Sequence, residues 1–186
     1  MTTELVLKSD SRLEFAFGKI VPGKEAWMST EYFPAVGSAL AEHQYTRLAG
    51  FAVKATNVEG MTPVMGVFCA WPASENRAAF QRDPRFVSIR SDRDAAMDHM
   101  SDGHLFQPID EVIALNTDGD YAVIITGDAN AVSAPIFSLP LTGDSPEQAY
   151  RGKSISLLPW NDAAEQLLNG APGDAEVFRV RFNPNN

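Results

Sequence analysis

The hydrophobic pattern of the chain is that of a mixed α and β protein, and it changes character a little past its midpoint. Residues 5–7 and 13–20 read as strands; in the second, Leu13, Phe15 and Phe17 alternate with smaller or polar residues. After the turn Val21-Pro22-Gly23, residues 24–43 carry Phe33, Val36 and Leu40 at helical spacing, which places them on one face. Pro34 has no N–H and clashes with the preceding turn, so a short helix and a second one starting near Pro34 are expected. Residues 45–55 and 64–71 read as strands joined by a hairpin loop at 57–63. Residues 73–82 form a short helix broken at Asp83-Pro84, residues 85–101 a long amphipathic helix stopped by Gly103, and residues 109–115 a further strand.

The segment 64–71 constrains the architecture most. Met65, Val67, Cys69 and Trp71 face one side; Val64, Phe68 and Ala70 face the other. A strand wet on one face alternates between apolar and polar residues, whereas this one is apolar on both, so its sheet must be covered twice. Past Thr117 the pattern predicts strands at 121–126, 136–141 and 177–182, a weak helix at 145–151 and a better one at 162–168. In the last strand Phe178, Val180 and Phe182 face one way and Arg179 and Arg181 the other, which predicts one wet face near a sheet edge.

The order over residues 13–115 is β-α-β-β-α-β, the ferredoxin-like order. Its details resemble the dimeric α/β-barrel superfamily, in particular a small uncharacterised branch related to ethyl-tert-butyl-ether-degradation and antibiotic-biosynthesis-monooxygenase proteins. The residues that carry the resemblance are Glu31-Tyr32-Phe33-Pro34-Ala35-Val36 and Ala78-Ala79-Phe80-Gln81-Arg82-Asp83-Pro84-Arg85-Phe86 followed by Arg90. His43-Gln44 stands where the family often has a glycine pair. The resemblance implies an α+β fold: a ferredoxin-like module at 1–116 with a β-rich, partly helical C-terminal extension at 117–186, readable as a diverged second module. It also implies a homodimer, because two such modules pack sheet against sheet; of the two possible sources of the second sheet, a twin chain is preferred over the tail.

Composition narrows the function. Lys plus Arg number 15 against 24 Asp plus Glu, a formal net charge of −9, which excludes a strongly basic nucleic-acid binder. The single cysteine, Cys69, excludes an internal disulfide and a cysteine-based zinc cluster. The absence of a basic and apolar leader and of a long apolar run predicts a cytoplasmic protein with no membrane partner. Phosphate-loop, dinucleotide and nucleophile-elbow motifs are missing, and no cofactor or metal is expected. His99 and His104, with Asp98 and Asp102 nearby, are spaced by five rather than the four that suits metal ligation from one helix; a polar helix end explains them.

The candidate site residues follow from the expected cavity between helices and sheet. His43 extends the Phe33, Val36, Leu40 stripe and is the candidate general base, as its ordinary pKa lies near neutrality. Tyr32, Tyr45, Phe68 and Trp71 are candidate aromatic contacts. Arg93 falls inside the apolar stripe of the second helix and Arg90 on its border, where a cation needs a partner; with His99 they complete the ligand-binding candidates. The expected function is binding of a small, mostly apolar molecule in this cavity. The alternative is a cofactor-independent monooxygenase or isomerase acting on an aromatic or polyketide-like substrate; no catalytic set of the family is matched, so the residues leave binder and enzyme both open.

Overall fold

A computed structural model describes residues 1–61, 64–170 and 175–183. Strands β1 (Thr2–Leu7) and β2 (Arg12–Ile20) lead into a helical stretch of α1 (Glu25–Trp27), a π-helical turn (Met28–Tyr32) and α2 (Phe33–Glu42). Next come β3 (Thr46–Thr56), β4 (Val64–Trp71), α3 (Ser74–Arg82), α4 (Pro84–Ala95), β5 (Met97–Ser101), β6 (Leu105–Phe106) and β7 (Glu111–Asn116). The remainder is β8 (Tyr121–Thr126), a 3₁₀ turn (Ala129–Ala131), β9 (Phe137–Pro140), β10 (Ser154–Pro159), α5 (Asp162–Gly170) and β11 (Glu176–Phe182). The fold is mixed α+β around one large sheet whose pairings are antiparallel among the described residues.

The strands run in the spatial order β5-β2-β4-β3-β11-β8-β10-β9. Beside β5, β6 pairs with β2, and its Phe106 bridges to Leu141 just beyond β9, so the two ends of the path meet. The enclosed interior is packed with side chains from both halves of the chain: Phe15, Phe51 and Phe68 meet Phe178, Phe182 and Phe137. The β1–β7 ribbon lies over this core, with Leu5, Leu7, Ile113 and Leu115 inward and Val6 and Val112 outward.

The second layer that β4 requires therefore comes from residues 121–182 of the same chain. This removes the basis for the expected sheet-to-sheet homodimer, because the face a twin chain would have covered is already buried. On the outer face, the helices of the first half pack over Trp71 and Leu105 through Met28, Val36, Phe80 and Phe86. α5 covers Ala122, Ile124, Leu158 and Val177.

Several expected elements differ. The helix expected over 85–101 ends at Ala95, and residues 97–101 form β5. The edge of β2 from Phe17 to Ile20 needs hydrogen-bond partners, and β5 supplies them; a Cβ at Gly18 would lie 3.1 Å from the His99 carbonyl oxygen of β5 and displace the end of the Met97 side chain. β5 and β6 thus fill the place expected for residues 109–115, which pair with β1 instead. A short helix and a second one starting beside Pro34 are present as expected, but a π-helical turn joins them without a break, and Pro34 stands in the first turn of α2, where its missing N–H breaks no bond of α2. Residues 145–151 form turns, and the strand at Ser154–Pro159 had no counterpart in the pattern reading. β11 is no edge strand but lies between β3 and β8, its outward Arg179 and Arg181 both bonded to Asp120. Within the expected hairpin loop, residues 62–63 lie outside the described set.

Because Phe178 is buried against Phe15 and Phe17 across the two halves, Phe178→Ala is expected to cost about 3–5 kcal/mol. Urea denaturation checks this; a cost below 1 kcal/mol would contradict packing of the halves on one core.

Candidate functional site

The outer face of β2 and β4 carries a row of paired residues: Glu14 beside Cys69, Ala16 beside Val67, Gly18 beside Met65. Ala16 and Gly18 are too small to reach the helices above, so a cavity of about 330 Å³ remains between sheet and helices. Its walls are mostly apolar: Met28, Tyr32, Leu40, Tyr45, Trp71, Phe80, Phe86, Met97 and Met100. The π-helical turn contributes Met28 and Tyr32 together, as residues four apart share one helical face. Phe33 (55% exposed) and Met65 (57% exposed) line the cavity and also face water, so they mark its mouth.

One end of the cavity is polar and densely bonded. Glu14, only 3% exposed, accepts from Trp71 Nε1–H at 2.6 Å, Arg77 Nε–H at 3.0 Å and the Gly103 backbone N–H at 2.5 Å. Arg77 also reaches Asp102 at 3.3 Å. Arg93 Nη1 lies 3.9 Å from the same Asp102 oxygen. A buried carboxylate persists only where such partners replace its water, and Glu14 has them on both oxygens.

Burial pushes the Asp102 carboxyl up, against the pull of Arg77 and Arg93. It also raises the Tyr32 and Tyr45 hydroxyls, and it holds the Cys69 thiol, 3.7 Å from Glu14, well above the ordinary thiol range. These hydroxyls and this thiol stay protonated near neutral pH, so they offer hydrogen-bond donors and no thiolate nucleophile.

Of the residues singled out in the sequence, Tyr32, Tyr45, Trp71 and Arg93 meet at this cavity. Phe68 points into the core on the opposite face of β4. Arg90 is exposed on α4, 3.8 Å from Asp94. His99 is exposed on β5, its ring stacked on Phe17. His43 lies outside the cavity lining, with Nε2 3.0 Å from Asp83 and its ring edge toward Phe80. Asp83 caps α4 through the Arg85 N–H and also binds the Arg85 side chain, so His43 joins the end of α2 to the start of α4. Glu14, Arg77 and Asp102 were not singled out as ligand contacts. The signal for Glu14 was a charged residue beside Ala16 and Gly18 on one face of β2; its partner could not be read, being 63 positions away. Among the described residues no cluster of His, Cys, Asp and Glu is arranged to hold a metal ion, and no helix is long and apolar enough to cross a membrane.

No family model and no curated protein matches the chain. Solved structures that resemble it include a candidate monooxygenase from Fusobacterium nucleatum at 10% identity, covering 92% of each chain with a TM-score of 0.49. An anthrone oxidase-like protein is 14% identical over 95% of each chain, with a TM-score of 0.49. A candidate monooxygenase from Lactobacillus acidophilus is 10% identical over 92% of this chain and 93% of its own, with a TM-score of 0.41. Likeness at this level carries no inference about activity.

Two outcomes are expected. Glu14→Leu leaves Arg77 buried without its carboxylate and costs about 3–5 kcal/mol, whereas Glu14→Gln, still able to accept, costs less. Urea denaturation of both variants checks the order. Separately, His104 is buried with Nδ1 unbonded and its ring against Tyr150, and burial holds its pKa below the ordinary 6.5. Neutral His104 thus supports the fold fully above about pH 6.5, and that support is lost as pH falls through its lowered pKa. Stability measured from pH 7.5 to 5.5 should fall more steeply in the parent than in His104→Phe; equal slopes would remove His104 as the cause.

Proposed function

We propose that the protein binds a small, mostly apolar molecule in the cavity between sheet and helices. The observation that carries this reading is the combination of small residues under two helices with aromatic and methionine walls above them, where side chains of ordinary size would close the space. Tyr32, Tyr45, Trp71 and Arg93 are the proposed ligand contacts. The protein is proposed to act in the cytoplasm, as a ferredoxin-like α/β-barrel module at 1–116 with a diverged second module at 117–186. That division is supported by strand order: β5-β2-β4-β3 and β11-β8-β10-β9 each run fourth, first, third, second in chain order.

A second reading, a cofactor-independent monooxygenase or isomerase on an aromatic or polyketide-like substrate, is favoured by Asp102. Its carboxylate lines the cavity, and burial makes it a stronger base than an exposed carboxylate despite the opposing pull of Arg77 and Arg93, which suits it to taking a proton from a bound ligand. His43 is less suited to that role, since its Nε2 is already committed to Asp83.

The test is a titration with an uncharged two-ring aromatic such as 2-isopropenylnaphthalene, followed by quenching of tryptophan fluorescence. Affinity in the micromolar range is expected, as is its loss in Ala16→Phe, which fills the cavity floor. An Ala16→Phe protein that folds and binds equally well would refute the cavity as the binding site.

A further inference from the structure

Arg93 is the least satisfied charge in the cavity. It is 7% exposed, yet its Nε–H has no hydrogen-bond acceptor, although Asp94 Oδ1 lies 2.8 Å away out of alignment. Its Nη1 donates to the Met100 thioether at 3.2 Å, a weak acceptor for a guanidinium. Asp102 stands 3.9 Å from Nη1, and the guanidinium lies over the Phe86 ring at 5.3 Å. A buried cation whose closest aligned partner is a thioether, facing an open cavity, is arranged for an oxygen acceptor that the protein itself does not supply.

The charges at this end of the cavity decide which oxygen. Glu14 and Asp102 are offset by Arg77 and Arg93, and the exposed Asp94 beside Arg93 adds one further negative charge; Arg47, the other charged lining residue, is exposed. A ligand carboxylate would leave an extra buried negative charge beside Asp102, whereas an uncharged carbonyl oxygen would satisfy Arg93 without one.

Resting on the reading of the cavity as a binding site, we propose that it selects uncharged apolar molecules bearing a carbonyl oxygen, and that Arg93 holds that oxygen. The Met100 thioether is the contact it displaces. Asp102, 3.9 Å from the same Nη1, is the acceptor for a hydroxyl neighbouring the carbonyl.

The test compares three probes of one shape: 2-acetylnaphthalene, 2-isopropenylnaphthalene, in which CH₂ replaces the carbonyl oxygen, and 2-naphthoate. The ketone should bind about tenfold or more tightly than the alkene, and more tightly than the carboxylate. In Arg93→Met the preference of ketone over alkene should vanish through loss of ketone affinity alone. Arg93→Lys, which keeps the charge but not the planar fork, should retain part of the preference and serves if Arg93→Met does not fold. Equal binding of ketone and alkene to the parent, a preference that survives in Arg93→Met, or tightest binding of the carboxylate would each overturn the assignment. Binding of none of the three would refute the cavity reading as well, whereas equal binding of ketone and alkene refutes the role of Arg93 alone.

Discussion

A strand that is apolar on both faces has to be covered on both, and β4 imposes this on the whole molecule. Phe68 on one face draws the second half of the chain against the first, building the interior of Phe15, Phe51, Phe178 and Phe182. Cys69 and Trp71 on the other draw the helices down. The inner face is filled by phenylalanines from both halves packed on one another. The outer face is not, because Ala16 and Gly18 cannot reach the helices that span them. The cavity is what remains where helices bridge the sheet above small residues, with aromatic side chains in its walls and little on its floor.

The buried charges belong to the same arrangement. Glu14 stands beside Cys69 in the row of small residues, and Arg77 descends to it from α3. The Gly103 N–H that completes its bonding comes from the loop between β5 and β6, where positive φ is needed and where a Cβ would press on the Arg77 guanidinium. One carboxylate thus ties β2, β4, α3 and the β5–β6 loop together at the closed end of the cavity. Such a cluster is costly to break and poor at adding net stability, which suits it to holding geometry rather than to strengthening the core.

Much of the fold was legible in local patterns. The two-faced apolarity of residues 64–71 demanded a double cover, and the alternation in 13–20 and 177–182 identified which residues face the interior. What could not be read was anything set by a distant partner. Residues 97–101 follow a helical run and become a strand because β2 offers an open edge beside Gly18, 79 positions earlier. The cover for β4 could come from a twin chain or from the tail on the same pattern, and only the pairing of β11 with both β3 and β8 distinguishes them. In the candidate site, Tyr32, Tyr45, Trp71 and Arg93 were legible as aromatics and a cation on inward faces. Phe68 was misplaced because the two sides of an apolar strand are interchangeable until one knows what covers each. His43 continued an apolar stripe in sequence, but its ring turns to Asp83 at a helix junction that spacing along one helix cannot reveal.

The two halves of the chain share a strand order but not a cavity of the same kind under their helices, and the difference lies in their connections. Between β2 and β3 runs a helix long enough to span the sheet, with a π-helical turn that places Met28 and Tyr32 over it. Between β8 and β9 stands only a 3₁₀ turn, too short for a crossover helix. The outer face of the second half is therefore covered by α5, which sets Ala164 directly on Ala122, Ile124 and Val177. Helices resting on aromatic supports such as Trp71, Phe80 and Phe86 stand off the sheet, and the cavity lies beneath them.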